Sequence, residues 1–255
     1  MSNFMGAGAV CLDDIIPANA GAHNAIYRGK YLGSAVTDAQ YAAIKAGTFE
    51  GMYIGDYWTI GGMNYRIAAI DYYLGSGDTY LKKHHLVIVP DTSLYAAVMN
   101  NTNTTSGGYV GSLLRQSLLS QARNTISAAF GSHILTKREW LTNSVRTSSV
   151  TNCDWYDSDI EIMNEVQAFG SIVWGSRTQD QSNWGGTGGN GRNVGVSNVQ
   201  FPLFAFDRTK LSIQYGYWLR DVVFSDGFAA VDYAGNAWYI RASDKIGVRP
   251  YFCIG

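Results

Sequence analysis

The sequence predicts an α+β protein in which an antiparallel sheet, closed by the C-terminal strand, organises the fold, and helices occupy the middle of the chain. Strand-like apolar runs lie towards both ends of the 255 residues, and segments with helical spacing lie between them. Charged residues make up only 15% of the chain, whereas glycines number 29 and aromatic residues reach 13%. This composition favours a strand-rich protein with long loops and a neutral, polar surface.

The net charge of −1 argues against nonspecific binding to nucleic acid, which requires a concentrated positive field. The N-terminal residues lack the basic region of a secretion signal, and no segment is apolar over a length that spans a membrane. The cysteines Cys11, Cys153 and Cys253 lie far apart and form no CxxC motif. Each is interpreted as a small buried hydrophobic residue, although one disulfide stays open.

Residues 1–28 have small side chains and no helical or clear strand periodicity. They predict an extended N-terminal arm, with a disordered tail as the alternative. Residues 29–255 are predicted to form a single α+β domain, whose sheet core lies in 201–255. An arm of this kind is suited to docking on a partner.

The first half of this domain contains both helix and strand signals. A capping-box spacing at Thr37–Gln40 predicts a short helix that ends at Gly47. Two apolar runs within 57–70, separated by a glycine pair, predict a hairpin, and residues 84–90 predict an internal strand. A helix is predicted over 91–99, with its N-cap at the start of that range.

The longest helical pattern covers 109–130 and ends at a glycine. Two further capping-box spacings, at 136–139 and 158–161, predict helix starts, and the second helix is expected to continue to residue 169. Residues 178–198, rich in Gly, Asn and Ser, predict a long loop that is either functional or mobile.

The last forty residues carry the strongest strand signals. Strands are predicted at 217–220, 228–233 and 238–240, with a turn at Gly235. Residues 247–254 are predicted to form the closing strand. Because Pro250 has no N–H to donate, this strand is expected at an edge or paired on one side at that point.

The C-terminal motifs Trp218-Leu219-Arg220 and Gly247-Val248-Arg249-Pro250 resemble, in order and spacing, a domain family common in gut bacteria and their phages. That family is similar to the C-type-lectin-like fold of the formylglycine-generating-enzyme group and of the variable proteins of diversity-generating retroelements. The resemblance covers the final fifth of the chain by motif. It implies that the α+β domain is C-type-lectin-like.

Upstream blocks, among them IYRGKYLG, HHLVIVPD and HILTKREWL, resemble phage and prophage structural proteins. This resemblance implies a virion protein that is made in the host cytoplasm and exposed on the virion surface, on a head or tail. It would decorate the capsid or tail, or bind a receptor. The partners implied are other virion proteins, contacted through the arm, and a host-surface glycan or protein. A homo-oligomer (trimer or array) is also implied, with no cofactor and no membrane insertion.

Two other functions stay open. A formylglycine-generating-enzyme-like oxidase would need two active-site cysteines close in space, and Cys253 is the one cysteine within the matched region. A bacterial surface-adhesion module would need an export signal. The absence of recognisable nucleophile, phosphate-loop and zinc-protease motifs favours a protein that is not an enzyme.

Exposed Tyr, Trp and Arg side chains dominate binding hot spots, and sugars stack on aromatic faces. On this basis the candidate ligand-binding residues are Trp184, Arg192, Tyr233, Trp238, Tyr239 and Arg241. The motif residues assigned a structural role are Trp218, Arg220, Gly247, Arg249 and Pro250. The two arginines in this second set are expected to donate hydrogen bonds to backbone or to carboxylates such as Asp221 or Asp244.

Two groups of polar residues are candidate sites for which a structural role is the favoured interpretation. His84 and His85 adjoin at a strand start, so their side chains face opposite ways and do not chelate one metal together. An acidic cluster is best explained by charges at a helix N-terminus, with acid/base chemistry or calcium binding as lesser alternatives. Its members are Asp154, Asp157, Asp159, Glu161 and Glu165.

Overall fold

The computed structural model describes residues 15–176 and 199–255. In these ranges the protein is a mixed α+β fold made mostly of strands, and none of the described helices is long and apolar enough to cross a membrane. The helices are α1 (Ala20–Asn24), α2 (Asp38–Ala46), α3 (Leu119–Phe130), α4 (Glu165–Phe169) and α5 (Pro202–Phe206). The strands are β1 (Tyr31–Gly33), β2 (Tyr57–Ile60), β3 (Met63–Ile70), β4 (Leu86–Pro90), β5 (Tyr95–Val98), β6 (Ile134–Leu135), β7 (Lys137–Arg146), β8 (Ser149–Ser158), β9 (Ile160–Ile162), β10 (Tyr217–Val222), β11 (Gly227–Val231), β12 (Ala237–Arg241), β13 (Lys245–Val248) and β14 (Pro250–Ile254).

A seven-stranded sheet has the order β1-β2-β3-β4-β14-β6, and β9 also pairs with β14. The C-terminal strand β14 therefore has three neighbours, and all five of its residues are buried. Pro250 aligns with Ile162 of β9, whereas pairing with β4 begins only at Phe252. The prediction that this strand lies at an edge or is paired on one side at Pro250 is confirmed in its second form, because β14 is an internal strand with one-sided pairing at the proline.

A five-stranded sheet has the order β12-β11-β10-β13-β5, and a separate two-stranded sheet is formed by β7 and β8. Strands β10, β11 and β12 form an antiparallel meander, as predicted, and Gly235 supplies the positive φ (84°) of its last turn. Strand β13 joins β10 in parallel. Buried apolar side chains of the two larger sheets form one continuous core.

The predicted closing strand 247–254 is divided between the two larger sheets. Its first part lies in β13 and its second part is β14, so the sheet of the meander is not the one that the C-terminal strand completes. The change occurs at Arg249, whose buried guanidinium donates to the carbonyl oxygens of Pro90 and Lys210, each at 2.8 Å. The arginine thus satisfies backbone groups at the point where the chain crosses from one sheet to the other.

Several local predictions are confirmed. Thr37 and Gln40 form the capping box of α2, which ends at Gly47 in the left-handed conformation. Residues 57–70 form the β2–β3 hairpin, and β4 is a fully buried strand. Helical structure begins as one π-helical segment at Leu114–Leu118, continues as α3 and ends before Gly131.

Three predicted helices are wrong at least in part. Residues 95–98 form β5, because they pair along their whole length with β13. Residues 137–146 form β7, whose residues Lys137 and Glu139 are both buried, as the two-residue period of a strand requires. Residues 160–162 form β9, and the helix that follows has its capping box later, at Asn164 and Gln167.

The described part of the predicted arm, residues 15–28, lies against the rest of the protein. Helix α1 is capped by Asn19, and the buried ring of His23 stacks on Tyr53 with 4.4 Å between ring centroids. Tyr27 forms a parallel bridge with Ile54. This segment is therefore docked rather than extended, whereas residues 1–14 lie outside the described ranges.

Candidate binding face on strand β12

Strand β12 is an edge of the five-stranded sheet and pairs only with β11 among the described strands. Every residue of β11 is buried, but Trp238 and Tyr239 of β12 are 42% and 37% exposed. Successive residues of a strand point to opposite faces, so these two rings serve different faces of the sheet. The sequence thus places two large aromatic side chains at an edge that no other strand of residues 15–176 and 199–255 covers.

Tyr239 belongs to a group of three exposed rings, here called the aromatic cluster: Trp174, Phe224 and Tyr239. The Tyr239 ring centroid lies 4.9 Å from that of Trp174 and 5.1 Å from that of Phe224. Trp174 and Phe224 are each 42% exposed. The indole N–H of Trp174 donates to the carbonyl oxygen of Ala237 at 3.2 Å, which ties the cluster to β12. Such tilted and edge-to-face contacts are the preferred geometry of aromatic pairs.

A buried carboxylate holds the loop that carries Trp174. Glu165, in the first turn of α4, is fully buried and accepts hydrogen bonds from the backbone N–H groups of Val173, Trp174 and Gly175 at 2.8–3.1 Å. Its own N–H donates to Asp221 of β10 at 2.6 Å. Burial raises the pKa of Glu165, and the three N–H donors only partly offset this. The loop that carries Trp174 is therefore held by α4, and α4 is in turn bonded to strand β10 of the five-stranded sheet.

A polar cavity of about 370 Å³ borders the same strand. Its wall includes Val173, which precedes Trp174 in the chain, and Ala237, whose carbonyl oxygen accepts the indole N–H of Trp174. Polar side chains also line it: Ser171, Gln200, Arg208 and Asn236. Hydrogen-bonding groups thus lie beside the aromatic cluster, a combination that suits a ligand with both apolar faces and hydroxyl groups.

Two further predicted ligand-binding residues lie on this strand or in the turn before it. Tyr233, 72% exposed, lies in the β11–β12 turn, and the side chain of Arg241, 69% exposed, ends 4.0 Å from Asp226. Trp184 and Arg192 lie outside the described residues. The sequence identified Tyr239 but missed Trp174 and Phe224. Their exposure was not readable from the sequence, although Trp174 lies next to a Gly-Ser pair that is typical of a loop.

The motif residues lie in the core. Trp218 is buried and donates its indole N–H to Ala97 at 2.8 Å. Arg220 is buried, donates to the Tyr251 hydroxyl at 2.9 Å and pairs with Glu139 at 3.3 Å. The sequence proposed other carboxylates for Arg220 and missed Glu139, which comes from the distant strand β7.

The second motif marks the passage between the sheets. A side chain at Gly247 would place its Cβ 2.1 Å from Ser93 Oγ and 2.9 Å from the Gly216 carbonyl oxygen, so only glycine fits there. Arg249 also contacts the Tyr217 hydroxyl at 3.2 Å. Pro250 then begins β14. Gly247, Arg249 and Pro250 are buried, which agrees with a structural role.

The acidic residues grouped by the sequence do not form one site, and three of them form separate ion pairs. Glu161 is buried and pairs with Arg115 at 2.9 Å, Asp159 pairs with Arg123 at 2.7 Å, and Asp157 pairs with Arg138 at 3.1 Å. The explanation by a helix N-terminus fits Glu165 alone, because Asp154, Asp157, Asp159 and Glu161 lie on or between β8 and β9. His84 pairs with Asp71 at 2.6 Å, while His85 is buried. Within the described ranges, no three His, Cys, Asp or Glu residues are grouped to hold a metal.

Cys153 and Cys253 lie on separate sheets. Cys253 is completely buried in β14, and burial raises its pKa to about 12. Its thiolate, the nucleophilic form, is therefore scarce at neutral pH. Cys11 lies outside the described residues.

Comparison of the chain with protein-family models, with curated proteins and with solved structures gave no match in any of the three.

Proposed function

We propose that this chain is a noncatalytic phage virion protein, exposed on a head or tail, that binds a host-surface glycan through the aromatic cluster and the adjoining part of β12. The observation that carries the glycan proposal is the group of three exposed rings, in which Tyr239 packs on both Trp174 and Phe224, at a sheet edge that no other described strand pairs with. The C–H faces of a sugar stack on such rings, and the polar cavity beside Ala237 offers partners for its hydroxyl groups.

The proposal of a C-type-lectin-like domain rests on the two sequence motifs and on where they lie. Trp218 and Arg220 are in the central strand β10, and Arg249 lies where the chain passes between the sheets. All three side chains are buried with hydrogen bonds that fix the junction. These contacts support a structural role for both motifs, and we assign ligand binding to exposed residues instead.

The oxidase alternative is less well supported. Its chemistry needs a reactive thiolate and a second cysteine close by, whereas Cys253 is buried with a raised pKa and Cys153 lies on another sheet. The virion role, the contact with other virion proteins through the N-terminal residues and the assembly into a trimer or array rest on the resemblance of the upstream blocks to phage structural proteins.

A glycan array tests the binding proposal directly. The wild-type protein is compared with Tyr239→Ala and Trp238→Ala, and Tyr80→Ala, a 63% exposed tyrosine in the segment before β4, is the matched control. We expect Tyr239→Ala to weaken binding at least tenfold, or about 1.4 kcal/mol, because it removes the central ring of the cluster.

Trp238→Ala should weaken binding less, because this ring faces the other side of the strand, and Tyr80→Ala should bind as the wild type does. Equal binding by wild type and Tyr239→Ala would contradict the proposed site, and no glycan binding by the wild type would contradict the proposed ligand class.

A further inference from the structure

A second concave site is built from elements that do not contribute to the aromatic cluster. It is a cavity of about 440 Å³ between helix α2, the segment before β4 and the residues that follow α3. This volume falls within the range of small-molecule sites. The side chains relevant to its chemistry are Tyr41, Lys45, Lys82, Lys83, His84 and His133.

The cavity concentrates positive charge in a chain whose net charge is −1. Lys45, Lys82 and Lys83 are exposed, and none of them forms an ion pair within residues 15–176 and 199–255. No Asp or Glu side chain lines the cavity. Gly255 does line it, but a carboxylate there would offset only one of the three lysine charges.

Besides the three lysines, a tyrosine and two histidines line the cavity and can donate hydrogen bonds. The rings of Tyr41 and His133 are stacked, with centroids 3.4 Å apart and planes 9° from parallel. Burial raises the pKa of Tyr41 to about 12, so its hydroxyl keeps its proton at neutral pH. Tyr41 and Lys45 are four residues apart on α2 and so lie on the same side of this helix. His84 is oriented by Asp71, which binds its Nδ1 at 2.6 Å.

We propose that this cavity binds an oxyanion, namely a phosphate or sulfate group, either free or attached to a sugar. Three lysines and a tyrosine line one space. Their ammonium groups and the phenol hydroxyl would donate hydrogen bonds to the ligand oxygens, and those bonds are charge-assisted because the oxyanion is ionised. The inference does not depend on the aromatic cluster, because the two sites share no residue.

Isothermal titration calorimetry on the full chain, with glucose 6-phosphate as the probe, tests this inference. Glucose is the neutral control and inorganic phosphate tests the free anion. We expect saturable binding of glucose 6-phosphate that weakens as sodium chloride is raised, and no heat from glucose. Saturable binding of inorganic phosphate would identify the oxyanion itself as sufficient, whereas binding of the sugar phosphate alone would identify an attached group; both support the proposal.

Variants locate the site. The double substitution Lys82→Gln, Lys83→Gln should weaken binding about tenfold or more, and Tyr41→Phe should weaken it by a smaller factor. Lys245→Gln, an exposed lysine on β13, should leave it unchanged. The proposal is overturned if glucose 6-phosphate gives no heat, if the double variant binds equally well, or if Lys245→Gln has the same effect as the double variant. Tyr239→Ala should retain this binding, so failure here is distinguishable from failure of the glycan proposal.

Discussion

Two arginines of the C-terminal segment lie in opposite environments. Arg249 is 1% exposed and donates to two backbone carbonyl oxygens and a tyrosine hydroxyl. Arg241, on β12, extends into solvent and lies 4.0 Å from its nearest carboxylate partner. Both were named from the sequence, and their separation into a scaffold residue and a candidate binding residue agrees with these contacts.

Substitution of the two arginines by methionine should therefore have unequal effects. Arg249→Met leaves the carbonyl oxygens of Pro90 and Lys210 without their donor, and we expect a loss of about 3 kcal/mol in the free energy of unfolding. Arg241→Met should change it by less than about 0.5 kcal/mol. Urea unfolding measures both, and equal stabilities would contradict the assigned role of Arg249.

Glu139 is a buried carboxylate, and the shift of its pKa predicts how the stability of the protein depends on pH in acid. Desolvation alone would raise its pKa, but Lys137 and Arg220 outweigh it and lower the pKa. Because the pKa of Glu139 is lower in the folded than in the unfolded protein, its ionised form stabilises the fold. This stabilisation is fully present above the unfolded-state pKa, about 4.3 for a glutamate, and is lost as the pH falls through the folded-state pKa. We expect Glu139→Gln to be less stable at pH 7 and to show a shallower loss of stability in acid.

Asp157→Asn is the control, because this carboxylate is 75% exposed. It should keep the acid dependence of the wild type when unfolding is followed by circular dichroism between neutral pH and pH 3. An unchanged acid dependence in Glu139→Gln would show that the buried ion pairs contribute nothing to it.

At the scale of elements, sequence patterns were sufficient where the local signal and the tertiary contacts agree. The capping box of α2, the β2–β3 hairpin and the β10–β12 meander are examples. The patterns failed at β5 and β7, where a helix-like spacing is overridden by pairing with strands distant in sequence. The true N-cap of α4, Asn164, was missed because an earlier Ser158–Glu161 spacing matched the same pattern.

The loop that carries Trp174 depends on α4 through one side chain. Glu165→Ala removes the acceptor of the N–H groups of Val173, Trp174 and Gly175. We expect these amides to exchange with deuterium at least tenfold faster in the variant, and Trp174 to pack less closely on Tyr239.

Exchange mass spectrometry measures the protection, with Glu50→Ala, an exposed glutamate, as the matched control. Unchanged protection of residues 173–175 in Glu165→Ala would contradict the anchoring role of this carboxylate.

At the scale of the whole molecule, the C-terminal segment connects both large sheets through β13 and β14. The α+β class and the importance of this segment were predicted from the sequence. The division of the segment between two sheets was not, because it depends on which distant strands, β5 or β4, each part meets. The aromatic cluster was only partly predicted for the same reason, since its rings come from three separate places in the chain.

At this scale our central proposal is that the molecule is mounted on a phage particle with strand β12 and its aromatic cluster directed outward. Cryo-electron microscopy of the phage particles that are proposed to carry the chain tests this most directly. We predict density on a head or tail that fits both sheets, with Trp174 and Tyr239 on the outer surface. Density in which β12 lies buried against the particle, or particles that lack the protein, would contradict the account.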